Sequence, residues 1–368
     1  MNFSDNVLKY TEKAQYGLRE LYQRHGYARY KVSKFEEYDL YAYNKSFLVS
    51  ENILTFTDTN GRLMALKPDV TLSIVKNITA DDKATHKLYY NENVYRTASG
   101  FDGFREIMQA GLECIGQIDL YTMGEVLMLA EKSLALIGEE HILDISHLGL
   151  VAGLLEEALP EESDRVKMLS YIGNKNIPAI TALCKATAVS EEICEAIRVI
   201  TELYEPLESA LSRVKPYLRG AKMTAAYEEL CGICGLLSEF GCIEQIRLDF
   251  SIVNDMSYYN GIIFRGYVNG IPDGVLAGGR YDGMLARMGK KQGAIGFAVY
   301  LDLLERMGDG TEHFDTDVLL LYTEADSAEA ITRAAERLRA GGESVTVQKT
   351  GAEGGIRARR IACVGKED

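Results

Sequence analysis

The sequence predicts an α+β fold: an antiparallel sheet flanked by helices, broken by a helical insertion and followed by a small C-terminal α/β unit. Three observations carry this. Thr59-Asn60-Gly61-Arg62 reads as a hairpin turn between two strand-like runs, because Asn-Gly supplies the positive φ that tight hairpins need. Strand-like segments lie on both sides of one long helical stretch instead of alternating with helices, which favours α+β over a doubly wound sheet. The tail reads strand, helix, strand and a short further apolar run, the order of a small α/β unit.

Each element follows from its pattern. In residues 6–26, Val7, Leu8, Tyr10, Ala14, Leu18, Leu21 and Tyr22 recur at helical spacing, and His25-Gly26 ends the helix. Residues 28–57 hold strand-like runs such as KSFLVS and ILTFTD. Residues 71–78 read as helix, and two strands follow near 86–96 and 105–116. From about 120 to 240 the chain reads mostly as helix, most clearly in LAEKSLALIG, LGLVAGLLEEAL, EEICEAIRVITELYEPL and TAAYEELCGICGLLSEF. Strands resume at IRLDFSI, YYNGIIFRGYV and GVLAGG, and a last helix is expected over 294–307. In the tail, DVLLLYT suits a buried strand, SAEAITRAAERLRAGG an amphipathic helix stopped by Gly341-Gly342, SVTVQK a strand and RIACVG a short apolar run. The expected boundaries are a core over 1–310, an insertion over about 160–240 and a terminal unit over 315–368.

Composition bounds the function. A chain of 368 residues, 47% hydrophobic and 26% charged, buries a core without staples. Its 40 Lys and Arg against 54 Asp and Glu give a net charge of -14, which disfavours binding to a phosphate backbone. No run of about 20 apolar residues is present, so no membrane span is expected. The N-terminus lacks the apolar stretch of a secretory signal, and seven cysteines, an odd number, suit reduced thiols in a cytoplasm. There is no P-loop, HExxH, GxSxG or EF-hand pattern. Cys231-Gly-Ile-Cys234 is a lone CxxC on a helical segment, best read as structural, and the five histidines form no ligand cluster, so no metal is expected.

Three separated segments carry the chemistry. They are Leu66-Lys67-Pro68-Asp69-Val70-Thr71; Tyr89 to Arg96 followed by Phe104 to Gly116; and Asn254-Asp255-Met256-Ser257-Tyr258-Tyr259-Asn260-Gly261 with the later GGRYDG run and Ala294-Ile295-Gly296-Phe297. Gln109 and Glu113 lie four apart on a strand and so share a face. With Asp69 they can converge on a cationic or hydrogen-bond-donating ligand. Arg96 can hold a carboxylate or phosphate. Tyr258, Tyr259 and Tyr281 can wall a flat ring. Such a pocket fits an amino acid with a planar side chain; scattered polar positions on one sheet face are the other reading.

In order and separation, these segments resemble histidyl-tRNA synthetase, a class II synthetase, over roughly residues 5–305. The family's patterns are LRPE(G/D)xT, a strand pair ending in FxQxxxExxG, and RGLDYYxGxxFE followed by GGRYDGL. The resemblance implies a class II core. It implies that Asp69 and Thr71 border the amino-acid pocket, that Gln109 and Glu113 meet the ligand's α-amino side, and that Tyr258, Tyr259 and Tyr281 surround an imidazole. Arg96 matches the arginine that positions carboxylate and α-phosphate.

The departures point away from catalysis. Asn254 stands where the family has an arginine, and Ser257 where it has aspartate. In AIGFAVYLDLLERM the register from Gly296 puts Leu303 at the arginine that lies against ATP and Asp302 at the preceding glutamate. Ser33 replaces the proline of PxFE, and Gly103 stands where an arginine is common. Neither an amide nor a leucine can stabilise developing phosphate charge as a guanidinium does. Pocket side chains kept with nucleotide-binding cations lost resemble the regulatory subunits of ATP phosphoribosyltransferase. That resemblance implies a non-catalytic, cofactor-free subunit, required by a short-form catalytic subunit in the first step of histidine biosynthesis, with histidine as feedback ligand. It also implies self-association through the core and, given a tail of about 55 residues, no tRNA binding. A divergent histidyl-tRNA synthetase is the alternative, and another synthetase-like paralogue is a third.

Overall fold

The computed structural model describes residues 8–48, 52–78, 84–97, 103–252, 258–306, 314–352 and 354–365. The chain divides into two compact units, residues 1–308 and 309–368.

The first unit opens with the helix Tyr10–Arg24, whose buried Ala14, Leu18 and Tyr22 recur four residues apart. Strand β1 (Ala28–Arg29) follows, then β2 (Phe35–Glu37), β3 (Thr55–Thr57) and β4 (Leu63–Leu66), of which the last three form a small antiparallel sheet. The expected turn joins β3 to β4. Asp58 accepts hydrogen bonds from the amides of Asn60 and Arg62, both 2.8 Å, and Gly61 has φ +79°. KSFLVS is not a strand: Lys45–Phe47 is a 3-10 turn, where Asn44 anchors its side chain on the Leu40 carbonyl, and residues 49–50 lie outside the described residues.

The main sheet has nine strands. The long pair β5 (His86–Thr97) and β6 (Phe104–Gly116) is followed in sequence by β7 (His141–His147), β8 (Glu205–Pro206) and β9 (Ile246–Leu248). Strands β10 (Ile262–Val268), β11 (Leu276–Arg280) and β12 (Gly293–Tyr300) complete it in the order β1-β5-β6-β12-β11-β10-β7-β9-β8. From β5 to β7 every pairing is antiparallel; β1 on β5 and β9 on β7 are parallel.

Two strands depart from the sequence reading. HILDISH lies inside the stretch read as helical but forms β7, because Leu143 and Ile145 face the core while Asp144 and Ser146 face the other side. Residues 293–300 are β12, not the start of a helix, and only Leu301–Arg306 coil, as a 3-10 turn. The reason is packing: Gly296 and its neighbours are wedged between β6 and β11, where a helix has no room.

One face of the sheet packs on Tyr10–Arg24 and Leu120–Ile137 through Leu112, Ile145, Phe264, Phe297 and Val299, and Gly220–Glu239 packs in turn on Leu120–Ile137. The helix Leu120–Ile137 carries two buried carboxylates, both paired: Glu125 with Lys87 at 2.6 Å and Glu131 with His141 at 3.1 Å. Helices Glu162–Gly173, Ile177–Ala186, Glu191–Glu202 and Leu207–Val214 make up much of the stretch between β7 and β9. Asn176 and Ser190 cap two of them, each cap contributing about 1 kcal/mol. The opposite sheet face meets a second core built from Tyr41, Val70, Leu72, Ile74, Tyr90 and Val94. Small and polar residues on that face leave the cavity described below.

The second unit has a parallel sheet, β14 (Val345–Lys349), β13 (Thr316–Tyr322) and β15 (Ala358–Cys363), with the helix Ala328–Ala340 capped by Ser327. Among the described residues no helix is long and apolar enough to cross a membrane, and no group of His, Cys, Asp or Glu could hold a metal ion.

Candidate functional site

All eight residues singled out in the sequence line one cavity. The cavity exists because its floor lacks side chains. Gly111 on β6, Gly296 and Ala298 on β12, and Ala277 on β11 lie side by side across the sheet. Larger residues before and after them on the same strands point to the core.

Loop 67–70 brings the first acid. Lys67 is buried and pairs with Glu92 at 2.5 Å; the Tyr95 amide donates to the Lys67 carbonyl, and Arg96 Nε donates to the Pro68 carbonyl at 2.6 Å. Thus pinned to β5, the loop leads into the helix Thr71–Asn77, and Asp69 accepts from the Leu72 amide at 2.8 Å in its first turn. Arg96 Nη2 lies 3.7 Å from Asp69. Burial pushes the Asp69 carboxyl up, while Arg96 and the helix amides pull it down.

Glu113 is the centre of the site and is only 2% exposed. Thr71 Oγ1 donates to its Oε1 at 2.7 Å and the Tyr281 hydroxyl to its Oε2 at 2.5 Å. Burial raises its pKa to about 8, against the pull of those two donors and with a small push from the charge of Asp69. Gln109 is buried on the same strand face. Tyr258 stacks edge-on against Tyr259, with centroids 4.5 Å apart, and tilts against Tyr281 at 5.8 Å. Burial raises the hydroxyls of Tyr258 and Tyr281 far above the ordinary value, so both act as neutral donors and acceptors. The result is a chamber with two carboxyls at one end and three tyrosine rings beside them. It can take a cation next to Glu113 and a flat ring between the tyrosines.

Further lining residues were not singled out as site residues in the sequence, among them Phe47, Tyr90, Arg265 and Tyr300. Two had a usable signal. Tyr90 lies directly opposite Gly111, and Tyr300 follows Gly296 at an even spacing on a strand. Phe47 comes from a turn with no periodic pattern.

The positions that set the chain apart from a synthetase are unevenly placed. Asn254 and Ser257 lie outside the described residues. Leu303 is in the 3-10 turn, partly buried against the main core, and does not line the cavity. Ser33 donates to the Phe35 carbonyl at an exposed edge, and Gly103 precedes β6 with φ +127°. Cys231 and Cys234 sit on the helix Gly220–Glu239, the first exposed and the second buried. His147 accepts from the Gly149 amide through Nδ1 and contacts Glu229 through Nε2 at 2.9 Å, a helix-capping role.

A family model described as histidyl-tRNA synthetase matches residues 4–304. A Clostridium kluyveri protein named ATP phosphoribosyltransferase regulatory subunit is 30% identical over 86% of this chain and 84% of its own length. A crystal structure from Bacillus halodurans, described as an ATP phosphoribosyltransferase regulatory subunit/histidyl-tRNA synthetase, superposes with a TM-score of 0.78. It shares 24% identity and covers 96% of this chain and 93% of its own. A chain of the Thermotoga maritima ATP phosphoribosyl transferase (HisG:HisZ) complex has the same fold, with a TM-score of 0.63 and 20% identity over 79% of this chain and 97% of its own.

Proposed function

The chain belongs to the histidyl-tRNA synthetase family, in its group of ATP phosphoribosyltransferase regulatory subunits, and on that premise we propose that its cavity is the histidine sensor of the complex. The observation that carries this is the Thr71–Glu113–Tyr281 cluster beside Tyr258 and Tyr259. The ligand's ammonium sits at Glu113 and Gln109, its imidazole between Tyr258, Tyr259 and Tyr281, and Asp69, Thr71 and Arg96 close the adjoining wall. Protein supplies every recognition group, so neither cofactor nor metal enters.

The partner is a short-form ATP phosphoribosyltransferase catalytic subunit, which depends on this chain for activity. The name of the Thermotoga maritima complex supports this partner. The chain itself carries out no aminoacylation: Leu303, at the place of a nucleotide-contacting arginine, has no charge to offer a phosphate and packs against the core. It works in the cytoplasm, associates with itself through residues 1–310, and binds no tRNA. Because binding couplings are reciprocal, substrates of the catalytic subunit change histidine affinity by the same factor as histidine changes theirs.

Phosphoribosyl-ATP formation by the purified short-form catalytic subunit, with and without this chain, tests the proposal. Strong activation that histidine reverses is the expected result; no activation by the cognate pair contradicts it. Histidine-dependent ATP–pyrophosphate exchange above background would instead establish a synthetase.

A further inference from the structure

The cavity has a cationic end that the reading so far does not use. Arg265 on β10 lines it. Arg265, Ala277, Ala298 and Gly111 are directly opposed on four neighbouring strands, so they share one face of the sheet. Between Arg265 and the acidic end the floor therefore carries only methyl groups and hydrogens. Three strand spacings, about 14 Å, separate β10 from β6, and Arg265 is exposed at the far side of that span. The Arg265 stem runs close to Gly274, where a Cβ would stand 3.0 Å from its Cδ.

Its charge is available. Asp144 lies opposite it on β7 with its Oδ1 buried and without a hydrogen-bond partner, and among the described residues no ion pair joins Arg265 to a carboxylate. Its neighbour is the Tyr267 hydroxyl, two residues on along the same face. Arg96, the other lining arginine, is buried and already engaged by Pro68 and Asp69. The segment from Tyr258 to Arg265 also ends in a cation where the synthetase pattern YYxGxxFE ends in an anion.

We infer that Arg265 is the anion anchor of the cavity: it holds the carboxylate of the amino acid whose ammonium lies at Glu113. This rests on the histidine reading above and makes Arg265 the residue that separates the amino acid from its uncharged-end analogues. A guanidinium suits this because it presents paired donors to a carboxylate and gains nothing from an alcohol or an amine. A sensor built this way ignores a molecule that shares the imidazole and ammonium but lacks the acid.

The test is calorimetric binding of histidine and of histidinol, its amino alcohol, to the full chain and its variants. Wild type is expected to prefer histidine by about tenfold or more. Arg265→Gln should weaken histidine about tenfold and leave histidinol unchanged, and Arg265→Lys should restore part of the preference. Equal weakening of both ligands by Arg265→Gln would mean a structural role and overturn the inference. Unchanged histidine binding in Arg265→Gln, with Glu113→Gln still weakening it, would overturn the inference while the histidine site stands. If neither variant weakens histidine, the site assignment fails and the inference with it.

Discussion

Glu113→Gln is expected to weaken histidine binding by about 10- to 100-fold at pH 8, equivalent to about 1–3 kcal/mol. The amide keeps the shape of the side chain but can accept from only one of Thr71 and Tyr281, which donate to different oxygens, so the loss reports the charge together with one hydrogen bond. The pH dependence is the sharper readout. In the empty cavity Glu113 has a pKa of about 8 because it is buried. Below that pH the carboxyl holds a proton that must leave before it can pair with an ammonium. Histidine affinity therefore rises as pH increases towards about 8, approaching tenfold per unit, beyond whatever the ligand's own titration contributes. Glu113→Gln has no such proton to lose, and the difference between the two profiles isolates the group. The same proton affects stability. The folded chain retains it between about pH 4.5 and 8 while the unfolded chain releases it, so this group's contribution is full below about 4.5 and is lost as pH rises through about 8.

Gly296→Ala is expected to abolish measurable histidine binding, a loss of more than 100-fold, and to lower the thermal unfolding midpoint. A Cβ at this position would stand 1.9 Å from Glu113 Oε2 and 2.4 Å from the Leu112 carbonyl oxygen. The first contact pushes the carboxylate off its two donors. The second is with backbone, which can yield only by parting β12 from β6, and overpacking of this kind typically costs about 1–3 kcal/mol. Gly283→Ala, in the GGRYDG run, is the control: nothing lies within 4 Å of its added Cβ, and neither binding nor stability should change. Calorimetry and thermal unfolding of both variants read the result.

The convergence of this site was partly legible in the sequence, for physical reasons that differ by residue. Gln109 and Glu113 had to share a face because strand residues alternate, and β6 runs straight through both. The tyrosine pair and GGRYDG were marked by type and spacing, but that the Tyr281 hydroxyl reaches Glu113 depends on β11 lying beside β12, a long-range pairing with no local signature. Arg265 was hidden for the same reason: it reads as one polar residue in an apolar strand until the small residues of β11 and β12 are seen to clear its path.

The hairpin of β3 and β4 was read correctly because Asp58, Asn60 and Gly61 fix it locally. The strand HILDISH was lost because its seven residues adjoin a strongly helical run, and AIGFAV was taken for helix because its apolar residues allow either period. Sheet neighbours decided both. The replaced arginine positions were legible as letters; the fold adds that Leu303 packs against the main core.

The most direct measurement is histidine inhibition of phosphoribosyl-ATP formation by the complex reconstituted with wild-type chain and with Glu113→Gln. Both chains should activate the catalytic subunit alike without histidine. With the variant, the half-inhibitory histidine concentration should rise by the same factor, about 10- to 100-fold, as the dissociation constant measured on the chain. An inhibition curve that does not move while the dissociation constant does would contradict the account, because feedback histidine would then act somewhere other than this cavity.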